Sequence, residues 1–315
     1  MKNLIDQLEN YLNVRRSFGF DLSTSARILR KFIAFANEQK SDHITTDLFL
    51  RWKNDFGNAG NQTWAARLGV VRQFAQWLSG IDARNVIPPK GLIPGRQRRP
   101  HPYIYSKQEI QEIINGAIHL HSFNGIRELT YSTLFALIAI TGLRVSEAIA
   151  LDNNDVDLIN GVLTIRQGKN GKERIVPILK SAAKNLLLYT KERDRLLGHS
   201  PQPFFVSDTG HRLTDCAARY NFAMVCQNIG LRSPQHYSKH GRGPRIHDLR
   251  HTFAAQTMVN WYRSNKNPDR EMIKLSTYLG HNRPEFTYWY IEAVPELLNL
   301  ASQRVTRSLK REGKK

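Results

Sequence analysis

Several polar side chains in the second part of the sequence stand at spacings that could do chemistry on a phosphate. Thr141-Gly-Leu-Arg144-Val-Ser-Glu147 sets a guanidinium and a carboxylate one helical turn apart. A carboxylate so placed can orient the guanidinium while its fork still faces a phosphate. Gly168-Lys169-Asn-Gly171 puts a lysine at the tip of a turn, where it can reach into a groove. His247-Asp-Leu-Arg250 places an imidazole and a guanidinium at i and i+3, on one face of a helix. Leu279-Gly-His281 sets another imidazole just past a helix end, and Tyr290 follows within Thr-Tyr-Trp-Tyr. Each piece alone has an ordinary reading as a solvated lysine, a structural histidine or a core tyrosine. Together, Arg, Lys, His-x-x-Arg, His and Tyr are the groups needed to stabilise a pentacoordinate phosphate and to attack it with a phenol.

The elements that must position these groups read as mostly helical. Over residues 1 to about 85, Leu4, Leu8, Tyr11 and Leu12 recur at helical spacing, as do Ile28, Phe32, Ile33 and Phe35. Thr45-Thr46-Asp47 is a helix start, and Trp64, Leu68, Val71, Phe74, Trp77 and Leu78 share one face of a further helix. These stripes are core rather than site. Residues 88–101 read PPKGLIPGRQRRPH, too rich in proline and glycine for a helix or a central strand. The stretch carries Lys90, Arg96, Arg98 and Arg99 with no acid, so it is either a solvated linker or one that tracks a phosphate backbone. Ser106-Lys-Gln-Glu109 fits a capping box that opens a second unit, with an apolar helix at Leu134–Ile140. Residues 161–165 and 174–178 read as two short strands joined by the turn at 167–173, and helices resume around 181–196, 214–229, 248–262, 269–279 and 286–306.

Composition narrows the partners. The 315 residues exceed one ordinary domain. Lys and Arg outnumber Asp and Glu by 46 to 27, a net charge of +19. That imbalance costs self-repulsion unless a polyanion relieves it, which points to nucleic acid or an anionic membrane surface. A hydrophobic fraction of 41% excludes disorder as the main character. No run of eighteen apolar residues exists, and acids interrupt the N-terminal apolar pattern, so neither a spanning helix nor a secretory signal is expected. Two cysteines, Cys216 and Cys226, suit a reducing cytosol and make a disulfide framework or a cysteine-based zinc site improbable.

The chain resembles the tyrosine recombinases, also called the phage-integrase family, particularly the bacterial two-domain members. The resemblance is carried by Thr141–Glu147, by Gly-Lys-Asn-Gly-Lys-Glu-Arg-Ile-Val-Pro at 168–177, by His247-Asp-Leu-Arg250-His-Thr-Phe-Ala, and by Leu279-Gly-His281 with Tyr290. It implies a mainly α fold with a small antiparallel β-sheet in the catalytic domain. The architecture would be two-domain, that of a DNA breaking-rejoining enzyme, with an N-terminal helical core-binding (SAM-like) domain over 1–87, a basic linker over 88–105 and a catalytic domain over 106–315. It implies Tyr290 as the nucleophile that forms a 3′-phosphotyrosyl bond, and Arg144 and Arg250 as the clamp on the non-bridging oxygens. Lys169 would be general acid on the leaving 5′-oxygen, His247 would assist proton transfer at the tyrosine, and His281 would hydrogen-bond the phosphate. Glu147 would support the site from behind. The resemblance further implies a homotetramer on duplex DNA with inverted-repeat sites, closing around it as a clamp in the bacterial cytoplasm at the nucleoid. It leaves room for accessory proteins and calls for no cofactor and no metal.

Some features depart from the family or stay open. The interval from His247 to His281 is longer than is common, with 261–270 as the extra material. Tyr288 stands two residues before Tyr290, about 200° round a helix, so only one can face the phosphate, and the spacing from His281 and Thr287 favours Tyr290. Lys239, Arg242 and Arg245 lie in a basic loop that either touches phosphates or is solvated. Pro295, Leu297, Leu298, Leu300 and Val305 form an apolar stripe that packs in cis or docks on a neighbouring subunit. The rival readings are a type IB-like topoisomerase and a DNA-binding protein without catalysis, and the phenol argues against the latter.

Overall fold

The computed structural model describes residues 3–95, 101–166, 173–233, 243–264, 266–281, 283 and 285–312. Lys169, Arg96, Arg98, Arg99, Lys239 and Arg242 lie outside the described residues. The chain divides into two compact units, 1–100 and 101–315. Among the described residues no helix is long and apolar enough to cross a membrane.

The first unit is helical: α1 (Leu4–Ser17), α2 (Ser23–Glu38), α3 (Thr46–Asp55) and α4 (Asn61–Ser79). Thr45 caps α3 by accepting from the Leu48 N–H at 3.0 Å. The aromatic stripes meet in one core, where Trp52 and Trp64 pack edge to face at 5.1 Å with Phe32 and Phe49 around them. The chain beyond α4 stays with this core: Asn85 accepts from the Ile44 N–H, and Ile93 is buried among the helices. The proline-rich stretch is therefore anchored at its start, while Lys90 is exposed.

The second unit opens with α5 (Lys107–Ile118), whose start carries the expected reciprocal capping box. Ser106 Oγ accepts from the Glu109 N–H and Glu109 accepts from the Ser106 N–H. Then follow α6 (Ile126–Thr141), α7 (Val145–Ala150), and an antiparallel sheet of β1 (Val156–Asp157), β2 (Val162–Ile165) and β3 (Arg174–Pro177) in that spatial order. Strand β1 is too short for any sequence period to announce it. Helices α8 (Lys180–Leu197), α9 (Asp215–Asn228), α10 (Ile246–Arg263) and α11 (Pro268–Leu279) continue the unit. Of the stretch 261–270, residues 261–263 end α10 and 268–270 begin α11, with the connection between them. The single helix expected over 286–306 is two, α12 (Glu285–Ala293) and α13 (Pro295–Glu312), because Pro295 cannot continue the first and suits the first turn of the second.

One core gathers α5, α6, the sheet, α8 and α9. Another is formed by α10–α13, with Met258, Leu275, Leu279, Tyr290 and Leu297 inside it. Leu297 thus packs in cis, whereas Leu298 and Val305 are exposed.

Candidate active site

Helix α6 ends at Gly142, which takes φ +64°, and Arg144 then starts α7. That left-handed turn swings Arg144 back toward Glu147, one turn on. The Glu147 carboxylate accepts from the Arg144 backbone N–H at 2.9 Å and from its guanidinium at 2.5 Å. Glu147 is buried, and it also receives both arms of Arg174 from β3, at 3.0 and 2.7 Å. Arg250 comes within 4.0 Å of the same carboxylate. Burial pushes the Glu147 carboxyl up, but the hydrogen bonds and charge of Arg174, with help from Arg144, outweigh it and hold the group down at about 2. The carboxylate is therefore the fixed anion around which three cations assemble.

The ends of α11 and α6 supply the other contacts. Arg250, buried on α10, donates to the carbonyls of Leu279 at 2.6 Å and Gly142 at 2.7 Å. Arg144 donates to the carbonyl of Gly280 at 3.2 Å, and Arg174 to that of Tyr278 at 2.9 Å. Burial, then repulsion from Arg144, draws Arg250 down to about 10, while Glu147 and Tyr290 favour its charge. It stays a cation at neutral pH.

His281 follows Gly280 and its Nδ1 lies 2.7 Å from the Thr287 hydroxyl, a fully buried group that fixes the ring. Three residues on, Tyr290 is 2% exposed, against 42% for Tyr288. The inward tyrosine is thus the one whose spacing from His281 singled it out. Its hydroxyl lies 2.8 Å from Nδ1 of His251, and the His251 ring meets that of His247 edge to face at 4.6 Å. Burial, then His251 and Arg250, pull His247 down to about 3, so it is neutral at physiological pH.

The structure therefore brings together Arg144, Glu147, His247, Arg250, His281 and Tyr290. Arg245 begins α10, pairs with Asp248 at 3.1 Å and keeps a half-exposed side chain. Three further residues, Arg174, His251 and Thr287, hold the site together without having been assigned a place in it. His251 was visible at i+4 from His247, on the same helix face, but its partner on α12 was not. Among the described residues no group of three or more His, Cys, Asp or Glu could hold a metal ion.

The sequence profile of the phage integrase family matches residues 105–296. A protein of Sinorhizobium fredii described as an integrase/recombinase, y4rB, is 38% identical over 98% of this chain and 98% of its own. Tyrosine recombinase XerD of Lacticaseibacillus casei is 27% identical over 82% of this chain and 86% of its own. The XerH site-specific recombinase in a post-cleavage complex with palindromic difH substrate shares the fold at a TM-score of 0.64 and 20% identity, over 89% of this chain and 78% of that one. A lambda integrase tetramer bound to a Holliday junction does so at 0.61 and 15% identity, over 90% and 79%. Profile, relatives and fold define the class, a recombinase that cleaves and rejoins DNA. The chain belongs to the phage integrase family.

Proposed function

We propose that Tyr290 attacks the scissile phosphate of a recombination site, forming a 3′-phosphotyrosyl bond and releasing a 5′-hydroxyl. Arg144 and Arg250 hold the non-bridging oxygens as charge develops, each with its fork pre-aimed by Glu147 and the α11 carbonyls, so little reorganisation is left for the reaction. Lys169 protonates the leaving 5′-oxygen, His281 donates to the phosphate, and His247 assists the phenol proton at one remove, through His251. The phosphotyrosyl bond stores the cleaved linkage, so religation to another 5′-hydroxyl needs no nucleotide cofactor. The assembly we infer is a homotetramer on two duplex sites with inverted-repeat arms, acting on DNA in the bacterial cytoplasm. The fold shared with a junction-bound tetramer supports it. Lys90, Arg96, Arg98, Arg99, Lys239, Arg242 and Arg245 add phosphate contacts.

The observation that carries this reading is that Arg144 and Arg250, near the starts of α7 and α10, meet at Glu147 and the end of α11, while the buried Tyr290 hydroxyl of α12 lies 2.8 Å from His251, the residue after Arg250. The test is a nicked substrate that traps the covalent intermediate. Tyr290→Phe removes only the hydroxyl, so the chain should fold and bind DNA but form no adduct. Tyr288→Phe should form the adduct as the wild type does. An adduct retained in Tyr290→Phe and lost in Tyr288→Phe would move the nucleophile two residues back.

A further inference from the structure

We infer that His251 is the immediate proton acceptor for Tyr290, a catalytic residue in its own right and distinct from the histidine of the His-x-x-Arg pair. The inference rests on Tyr290 being the nucleophile. Its Oη lies 2.8 Å from His251 Nδ1, within the range of a neutral hydrogen bond. The phenol is 2% exposed, so bulk water is shut out as the acceptor and the proton must pass to a protein group. The side chain of Arg144 cannot accept a proton, nor can that of Arg250, and His281 has Nδ1 turned to Thr287 and its other ring nitrogen assigned as a donor to the phosphate. His251 is held in place from both sides, by the His247 ring on its own helix and by Trp289 on α12 at 5.6 Å. Arg250 precedes it on the helix.

The step balances within these residues. As the Tyr290 Oη–P bond forms and the P–O5′ bond breaks, the phenol proton moves to His251 Nδ1. The 5′-oxygen takes a proton from the acid of the site, which we assign to Lys169. Religation returns both protons. The neutrality of His247 matters here: no imidazolium stands beside His251 to repel the incoming proton.

The test uses the full chain on nicked duplexes recovered by covalent capture with the wild type from a pool with randomised inverted-repeat arms. No capture by the wild type, or an adduct surviving in Tyr290→Phe, overturns the reading on which the inference rests. Given capture, His251→Ala and His251→Asn separate the roles. Asn can still accept a hydrogen bond near the Nδ1 position but cannot take a proton. Both variants should bind the captured DNA as the wild type does and cleave it about 10²-fold more slowly at pH 7. Without the base, attack depends on the phenolate fraction, so the deficit should narrow about tenfold per pH unit from 7 to 9. Cleavage by His251→Asn at the wild-type rate would overturn proton transfer in favour of positioning alone. A deficit of constant size across that pH range, or none in His251→Ala, would also sink the inference.

Discussion

Burying a carboxylate beside three guanidiniums ties each cation to one geometry, and Glu147 does this for Arg144, Arg174 and Arg250. Burial first, then His251 and Arg250, decide the charge of His247. His247 has a folded value near 3, well under its ordinary 6.5. Below about 6.5 the unfolded chain takes up a proton that the folded chain refuses, so this group favours folding fully only above that pH. Its contribution falls on acidification toward 3, at about 1.4 kcal/mol per pH unit. Ring NMR should show the His247 resonance flat between pH 7.5 and 5, and urea unfolding of His247→Gln should lose part of the wild type's acid sensitivity over that span. A His247 resonance titrating near 6.5 would contradict this. The residues missed in the sequence share one property, that their partners lie on other elements. Arg174 was just the start of a strand until β3 set it against α7 and α11. Arg144, His247, Arg250, His281 and Tyr290 stood out because short spacings carry their pattern.

At the scale of elements, what was legible was what is decided locally. The capping box of α5, the Thr45 cap and the amphipathic stripes of α1 to α4 depend on neighbours within a few residues. The break between α12 and α13 was not, because the apolar pattern runs on across Pro295 and only the missing N–H interrupts it. The turn from α6 to α7 shows how an element boundary becomes part of a site. Gly142 adopts φ +64°, and a Cβ there would come within 2.5 Å of the Phe253 ring. Its carbonyl is also one of the two that receive Arg250. Gly198, which ends α8 at φ +74°, has nothing within 4 Å. Gly198→Ala should therefore cost only the backbone strain, about 1–2 kcal/mol. Gly142→Ala should add an overpacking cost of about 1–3 kcal/mol and slow cleavage as Arg250 shifts. Thermal melts of the two variants side by side check the difference. Equal melting temperatures would mean that Phe253 yields without cost.

For the whole molecule, the charge is the property with the longest reach. A net +19 is drawn from both units and the stretch between them, and it is the charge on which the proposed phosphate contacts would rest. The proline-rich stretch begins anchored, with Pro88 and Ile93 buried and Lys90 exposed between them, so at least one of its cations is held on a fixed surface. Replacing Lys90, Arg96, Arg98 and Arg99 together should weaken binding about equally on specific and random DNA, because phosphate contacts carry no base information. The slope of log K against log salt should become shallower by about 0.9 for each phosphate no longer neutralised, hence by about 3.6 at most. Sequence discrimination should survive, since base edges are read by side chains that enter the grooves and not by groups that touch the backbone. Affinity titrations from low to moderate salt on a captured site and on a scrambled duplex decide the matter. A steep drop in affinity on the captured site alone would make the stretch a reader of sequence. An unchanged slope would show that these four charges face only solvent, and that the excess charge acts through the two units themselves.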